Sequence, residues 1–300
     1  MTALRIRLNA AVLGLALGLA PVVAGAGISL GPAGGATGLR SQPVPTGEIA
    51  PAVVGQAAAF EPRIAPQHSR PFGRSYGQWV VAWWRWALRT PASVSPLLEP
   101  DSTNCAAGRQ PERVRFLGGT FTGAAGDPPV ERRCTVDAGT AFFLPVLNGV
   151  YASTPAPNPG GCPFAADPWY GTRPGDPAYR EFLRLIYRPA GVDPDNPKGS
   201  LTLAIDGKAV PGVHEWYLRS PAFFDALLPD DNVFDAVVSF DCYDRIRLSP
   251  NVGYGYWAFV HPLPPGRHTI RWTADAVLPF FGDAPLHQDV TYHITVRPRR

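Results

Sequence analysis

Four of the chain's eight tryptophans fall between positions 79 and 86, in the run from Ser75 to Pro91. Indoles packed so densely must either be enclosed by the rest of the domain or form a binding surface. The spacing predicts one short helix. Ser75 can cap the first turn while Gln78 reaches back, a capping box of the S-x-x-Q kind. Pro91 cannot continue a helix and pushes Thr90 toward an extended conformation. At about 100° per residue, Tyr76, Trp79, Val80, Trp83, Trp84, Trp86 and Ala87 share one broad face, which Val81, Ala82 and Leu88 extend. Gln78, Arg85 and Arg89 are left as a narrow polar stripe. A helix apolar around most of its circumference belongs inside its domain, so burial of the indoles is the expectation.

The N-terminus reads as an export signal. Residues 1–26 combine a short basic start (Arg5, Arg7), an apolar run from Leu8 to Ala24 and small residues at Ala24-Gly25-Ala26 suited to cleavage. No later stretch is long enough to cross a bilayer, so a secreted or periplasmic location without a membrane span is expected. Export makes the cysteines readable. Cys105, Cys134, Cys162 and Cys242 suggest two disulfides in an oxidising compartment. Of the three possible pairings, sequence proximity favours Cys105–Cys134 and Cys162–Cys242. Without C-x-x-C spacing or a histidine at ligand distance, zinc and thiol redox chemistry are weak readings.

With 300 residues and 45% hydrophobic content, the chain can bury one core and carry a tail. Residues 27–70 are rich in Gly, Pro, Ala and Ser without periodicity, which reads as an arm or linker. A single disulfide-stapled domain is expected over residues 71–297. The net charge of +3 comes from 27 basic residues, all arginine except Lys198 and Lys208. They are scattered among acids rather than gathered into a stripe, which argues against a nucleic-acid partner.

Beyond the tryptophan segment the hydrophobic period becomes two. Strands are expected over 114–121, 131–136 and 140–147, with Pro145 marking an edge or a bulge. Leu201–Ile205 and Lys208–Val210 flank Asp206-Gly207, a type I′ hairpin signal. Further strands are expected over 234–241, 254–260, 267–273 and 289–296. Two short helices are expected to interrupt them. One follows Asp176-Pro177 and carries Tyr179, Phe182, Leu183 and Ile186. The other follows Ser220-Pro221 and carries Phe223, Phe224, Leu227 and Leu228. The pattern as a whole predicts a mainly β chain: an antiparallel β-sandwich, immunoglobulin-like or jelly-roll-like, with a Trp-rich N-terminal helix.

Three stretches carry a resemblance: Tyr76-Gly77-Gln78-Trp79 through Leu88, Ala138 through Asn148, and Pro262 through Ile270. Together they resemble a family of uncharacterised bacterial exported proteins over most of residues 75–296. That resemblance implies export, and as the family has no established activity it carries over no catalytic residue. The closing pattern, Pro265–Ile270 followed by Asp289–Val296, is similar to the last strands of immunoglobulin-like modules and is a cue to fold alone.

Catalytic signatures are absent from the sequence. It holds no G-x-S-x-G and no H-E-x-x-H, and its six histidines are dispersed. No cofactor and no metal are expected. Asp230, Asp231 and Asp235 could supply an acid/base pair or oxygen ligands for calcium. Against that, Asp and Asn are ordinary turn residues that cap local backbone groups. Trp169 and Tyr170 lie in a long Pro/Gly-rich loop and could stack on sugar rings, or simply cover an end of the sandwich. Arg85 and Arg89, one turn apart, could clamp a carboxylate of the protein or of a ligand. The expected function is binding, with a glycan or other surface component as ligand through Trp169, Tyr170, Arg85 and Arg89. The rivals are a carboxylate-dependent hydrolase acting on polysaccharide or ester through Asp230, Asp231 or Asp235, and a structural role without a small ligand.

Overall fold

The computed structural model describes residues 63–98, 105–120, 128–155, 169–173, 175–177, 191–192, 200–220, 223–238, 241–278 and 284–299. The signal, most of the arm, Cys162 and the helix expected after Asp176-Pro177 lie outside the described residues.

The tryptophan helix, α1, spans Tyr76–Arg89. Its capping box forms as the sequence predicts: the Ser75 hydroxyl accepts from the Gln78 backbone N–H, and the Gln78 side chain accepts from the Ser75 N–H. Among the described residues eleven strands accompany it: β1 (Val114–Phe116), β2 (Val130–Asp137), β3 (Ala141–Ala152), β4 (Gly191–Val192), β5 (Leu201–Ile205), β6 (Lys208–Ala209), β7 (Tyr217–Arg219), β8 (Phe224–Leu227), β9 (Arg247–Val260), β10 (Gly266–Leu278) and β11 (Ala284–Arg297). A one-and-a-half-turn helix, α2, covers Val233–Val238.

The strands form two sheets. In one, β1-β3-β9-β7 lie side by side and β8 also pairs with β9; in the other the order is β2-β11-β10-β5-β6, with β4 against β10. The two sheets pack as a mainly β sandwich through β3 against β5 and β10. It is not wholly antiparallel. β1 runs parallel to β3, and β2 runs parallel to β11. Parallel neighbours need a crossover, which the chain provides by sending β2 into the opposite sheet between β1 and β3.

Helix α1 covers the outer face of the first sheet, so the body has three layers. Tyr76 and all four of its tryptophans pack with Phe116, Phe143, Phe224, Trp257 and Phe259. The intervening residues Phe142, Leu144, Ala258 and Val260 point the other way along β3 and β9 and are fully buried toward the second sheet. Glycine permits the close approach of helix and sheet. A Cβ at Gly253 would run into the Trp84 indole and Val80.

Several local expectations hold in detail. The register of β3 against β9 shifts between Pro145 and Leu147, placing the proline at a bulge in a strand flanked on both sides. Asp206 and Gly207 both adopt positive φ, at 51° and 74°, between β5 and β6. Cys105 and Cys134 are bonded, closing a separation of 29 residues and contributing about 3–4 kcal/mol by loop closure. Cys242 is buried and also disulfide-bonded.

Three expectations need correction. Residues 63–70 do not behave as arm: Ile64 bridges Val260, and the Ala65 N–H donates to the Phe259 carbonyl at 2.9 Å. In the stretch expected to be helical after Ser220-Pro221, the described residues 223–229 are not helical. Residues 224–227 form strand β8, with Phe224 and Ala226 buried, Asp225 half-buried and Leu227 exposed. So short a segment gains little as a helix, whereas the edge of β9 offers it backbone partners. Conversely, 233–238 is helical rather than extended. Asn232 caps it, accepting from the N–H groups of Phe234 and Asp235 at 3.0 Å each.

Candidate functional site

Where β8 meets the first residues of β9, strand alternation sorts side chains to two faces. Phe224, Ala226 and Leu248 enter the helix-side core. Asp225, Arg247 and Ser249 emerge opposite and bond to one another. Arg247 Nη2 donates to Asp225 Oδ2, and Ser249 Oγ donates to Asp225 Oδ1 at 2.7 Å. Next to them lies the described part of the loop that the sequence flagged for its aromatics. The Gly171 N–H donates to the Ser249 carbonyl at 2.9 Å, and the Thr172 N–H to the Trp169 carbonyl at 3.0 Å.

This contact divides the two flagged rings. Trp169 turns inward, packs beside Val252, and meets Tyr151 edge-on with centroids 5.8 Å apart. Tyr170 stays 38% exposed. It walls one side of an open cleft of about 450 Å³, together with Thr172, Arg173, Phe223, Asp225, Arg247 and Ser249. The Thr172 hydroxyl oxygen is buried and has no hydrogen-bond partner among the described residues. Trp169 therefore fixes the loop and Tyr170 faces the opening.

The electrostatics centre on Asp225. The Arg247 hydrogen bond, helped by Ser249 and the nearby Arg247 and Arg85 charges, holds its carboxyl below the usual carboxylate range against the opposing effect of partial burial. The same pair raises Arg247. A carboxyl lowered in the folded state stabilises the protein above its unfolded value of about 3.9, and that contribution is lost as pH falls through the folded value. The Asp225 side chain is 42% exposed, so solvent screening keeps the contribution below about 1 kcal/mol. The difference in Tm between the native protein and Asp225→Asn should be constant well above the unfolded value of about 3.9 and shrink as the pH falls below it. A difference that does not change with pH would place the stabilisation elsewhere.

Of the residues singled out in the sequence, Arg85 and Arg89 are exposed on α1, as its polar stripe requires. Neither is among the residues that line the cleft, although Arg85 acts on Asp225. The acidic trio is engaged with groups of the protein itself. Asp230 pairs with Arg245 through two nitrogens. Asp231 accepts from the Ser93 N–H and hydroxyl. Asp235 accepts from the N–H groups of Cys242 and Tyr243 and from Asn232. Carboxylate oxygens of Asp235, Asp241 and Asp244 lie within 4.8 Å of one another. The Asp244 carboxyl is raised by desolvation first and then by its acidic neighbours.

The residues that line the cleft from β8 and β9, Asp225, Arg247 and Ser249, escape a helical reading of 220–229. A period of two would have isolated Asp225 from Phe224 and Ala226. The Arg247-x-Ser249 pair just before Pro250 would then have stood out on the matching face. Comparison of the chain with family models, with characterised proteins and with solved structures gave no match.

Proposed function

We propose that this chain is an exported binding protein that holds a glycan of the cell envelope or extracellular space in the Tyr170–Asp225–Arg247 cleft. The observation that supports it most is the pairing of an exposed Tyr170 ring with a carboxylate–guanidinium–hydroxyl network already hydrogen-bonded in place. A pyranose offers an apolar C–H face to an aromatic ring and hydroxyls at its rim. Asp225, Arg247 and Ser249 supply acceptors and donors in a fixed geometry, which lowers the ordering cost of binding. Export is supported by the apolar N-terminal run and by the Cys105–Cys134 bond, since disulfides persist in oxidising compartments. No helix among the described residues is long and apolar enough to cross a membrane. Hydrolysis at Asp230, Asp231 and Asp235 is the weaker reading, because each carboxylate is already committed to a cap, a turn or an ion pair.

The test is an oligosaccharide panel titrated by calorimetry into the native protein and Tyr170→Ala. Removing the ring gives up on the order of 60 Å² of apolar contact, about 1.5 kcal/mol, or roughly tenfold in Kd. Absence of binding across neutral and acidic panels, or equal affinity in Tyr170→Ala, would overturn the proposal and favour a structural role.

A further inference from the structure

Charge around the cleft narrows the ligand class. Among the described residues that line the cleft Asp225 is the only carboxylate; Arg247 offsets its charge and Ser249 donates to its other oxygen. Two guanidiniums line the same opening. Arg247 commits only Nη2 to Asp225, which leaves Nε and Nη1 without a partner among the described residues. Arg173 commits its backbone N–H to the exposed Asp176 carboxylate at 2.7 Å, and its guanidinium has no described partner. Arg85, from α1, adds positive field at Asp225. Asp225 thus acts as a positioning residue: it holds one edge of Arg247 and turns the remaining N–H groups outward. A planar fork with free donors matches an oxyanion better than it matches a hydroxyl.

We propose that the cleft takes the acidic group of a sugar, a uronic acid carboxylate or a phosphate ester, between Arg173 and Arg247, while the sugar ring rests on Tyr170. This rests on the glycan reading above and names the class of glycan. Neutral sugars would leave the Arg173 guanidinium facing the ligand without a counter-charge and the remaining Arg247 N–H groups without an anionic acceptor, which is why the acidic class is selected.

Paired probes test it on the full chain: a galacturonic acid trisaccharide against its methyl ester, and glucose 6-phosphate against glucose. In at least one pair the acidic member should bind at least about tenfold more tightly, and which pair does so identifies the oxyanion. That preference should shrink as salt shortens the Debye length from about 10 Å toward about 3 Å. Arg173→Gln, an exposed position that does not threaten folding, should weaken the acidic member about tenfold more than the neutral one. If a neutral probe binds as tightly as its acidic counterpart and Tyr170→Ala weakens both, the charge inference fails and the glycan reading stands. If no probe binds in either pair, and a broader neutral panel is also silent, both fail together.

Discussion

Trp83→Ala is expected to lower the unfolding free energy by about 3–5 kcal/mol, a large fraction of what a domain of this size has in total. Trp83 is the hub of the indole cluster. Its ring lies edge-on to Trp84 at 4.9 Å, Trp86 at 5.5 Å and Trp257 at 5.3 Å, so one truncation opens a cavity against both the helix and β9. Truncation also strips the Leu117 carbonyl of the indole N–H that donates to it at 2.8 Å. Trp83→Phe separates the two contributions. It restores most of the aromatic contact but leaves that carbonyl unmatched, so a loss of roughly 1–3 kcal/mol is expected. Urea unfolding measures both variants. A loss under about 1 kcal/mol for the alanine variant would mean that the indoles do not bind α1 to the sheet.

How much of this was legible in the sequence depends on whether the signal was local. The capping box of Ser75 and Gln78, the breaker at Pro91 and the Asp206-Gly207 turn act over a few residues, and each forms as expected. Burial of the tryptophans was equally legible, because a helix with so narrow a polar stripe has few places to be. Residues 224–227 and 233–238 exchanged strand and helix for one reason: both are short apolar runs whose outcome rests on a distant partner. β8 exists because β9 offers it an edge, and α2 exists because Asn232 caps it and Asp235 is held by the Cys242 and Tyr243 amides. Propensity over six residues cannot outweigh such contacts.

The cleft shows the same division. Tyr170 and Arg85 were conspicuous as loop and stripe residues, yet their relation to Asp225 is tertiary. Trp169 and Tyr170 are adjacent in sequence and have different tasks, because one ring meets Tyr151 and the other meets solvent. Asp225 becomes a site residue only through Arg247 and Ser249, more than twenty positions away. Specificity for an acidic sugar would therefore arise from a strand pairing, with the loop supplying the ring and the second arginine.

The second large effect is expected at Arg132, which is 1% exposed in the middle of β2. Val130, Arg132, Cys134 and Val136 share the inward face of that strand, whereas Glu131 and Arg133 face out, so two adjacent arginines have opposite environments. Arg132 Nη1 donates to the Gly118 carbonyl, to the Gly119 carbonyl at 3.1 Å and to the Tyr292 hydroxyl at 3.0 Å. The guanidinium also lies 5.6 Å from the centroid of the Tyr292 ring, which stacks on Trp272. Arg132 therefore ties the segment after β1 to β2 and β11. Arg132→Ala takes a donor from each of these acceptors; the Gly118 carbonyl keeps the Tyr292 hydroxyl and the Tyr292 oxygen keeps the Gly118 N–H, so the Gly119 carbonyl and the emptied side-chain volume carry most of a loss of about 2–4 kcal/mol. Arg132→Lys keeps the charge but loses the fork, so about half of that loss is expected. Arg132→Met keeps length and apolar contact and isolates the polar contribution. If the methionine variant unfolds within about 0.5 kcal/mol of the native protein, packing alone explains the site and the hydrogen bonds add no net stability.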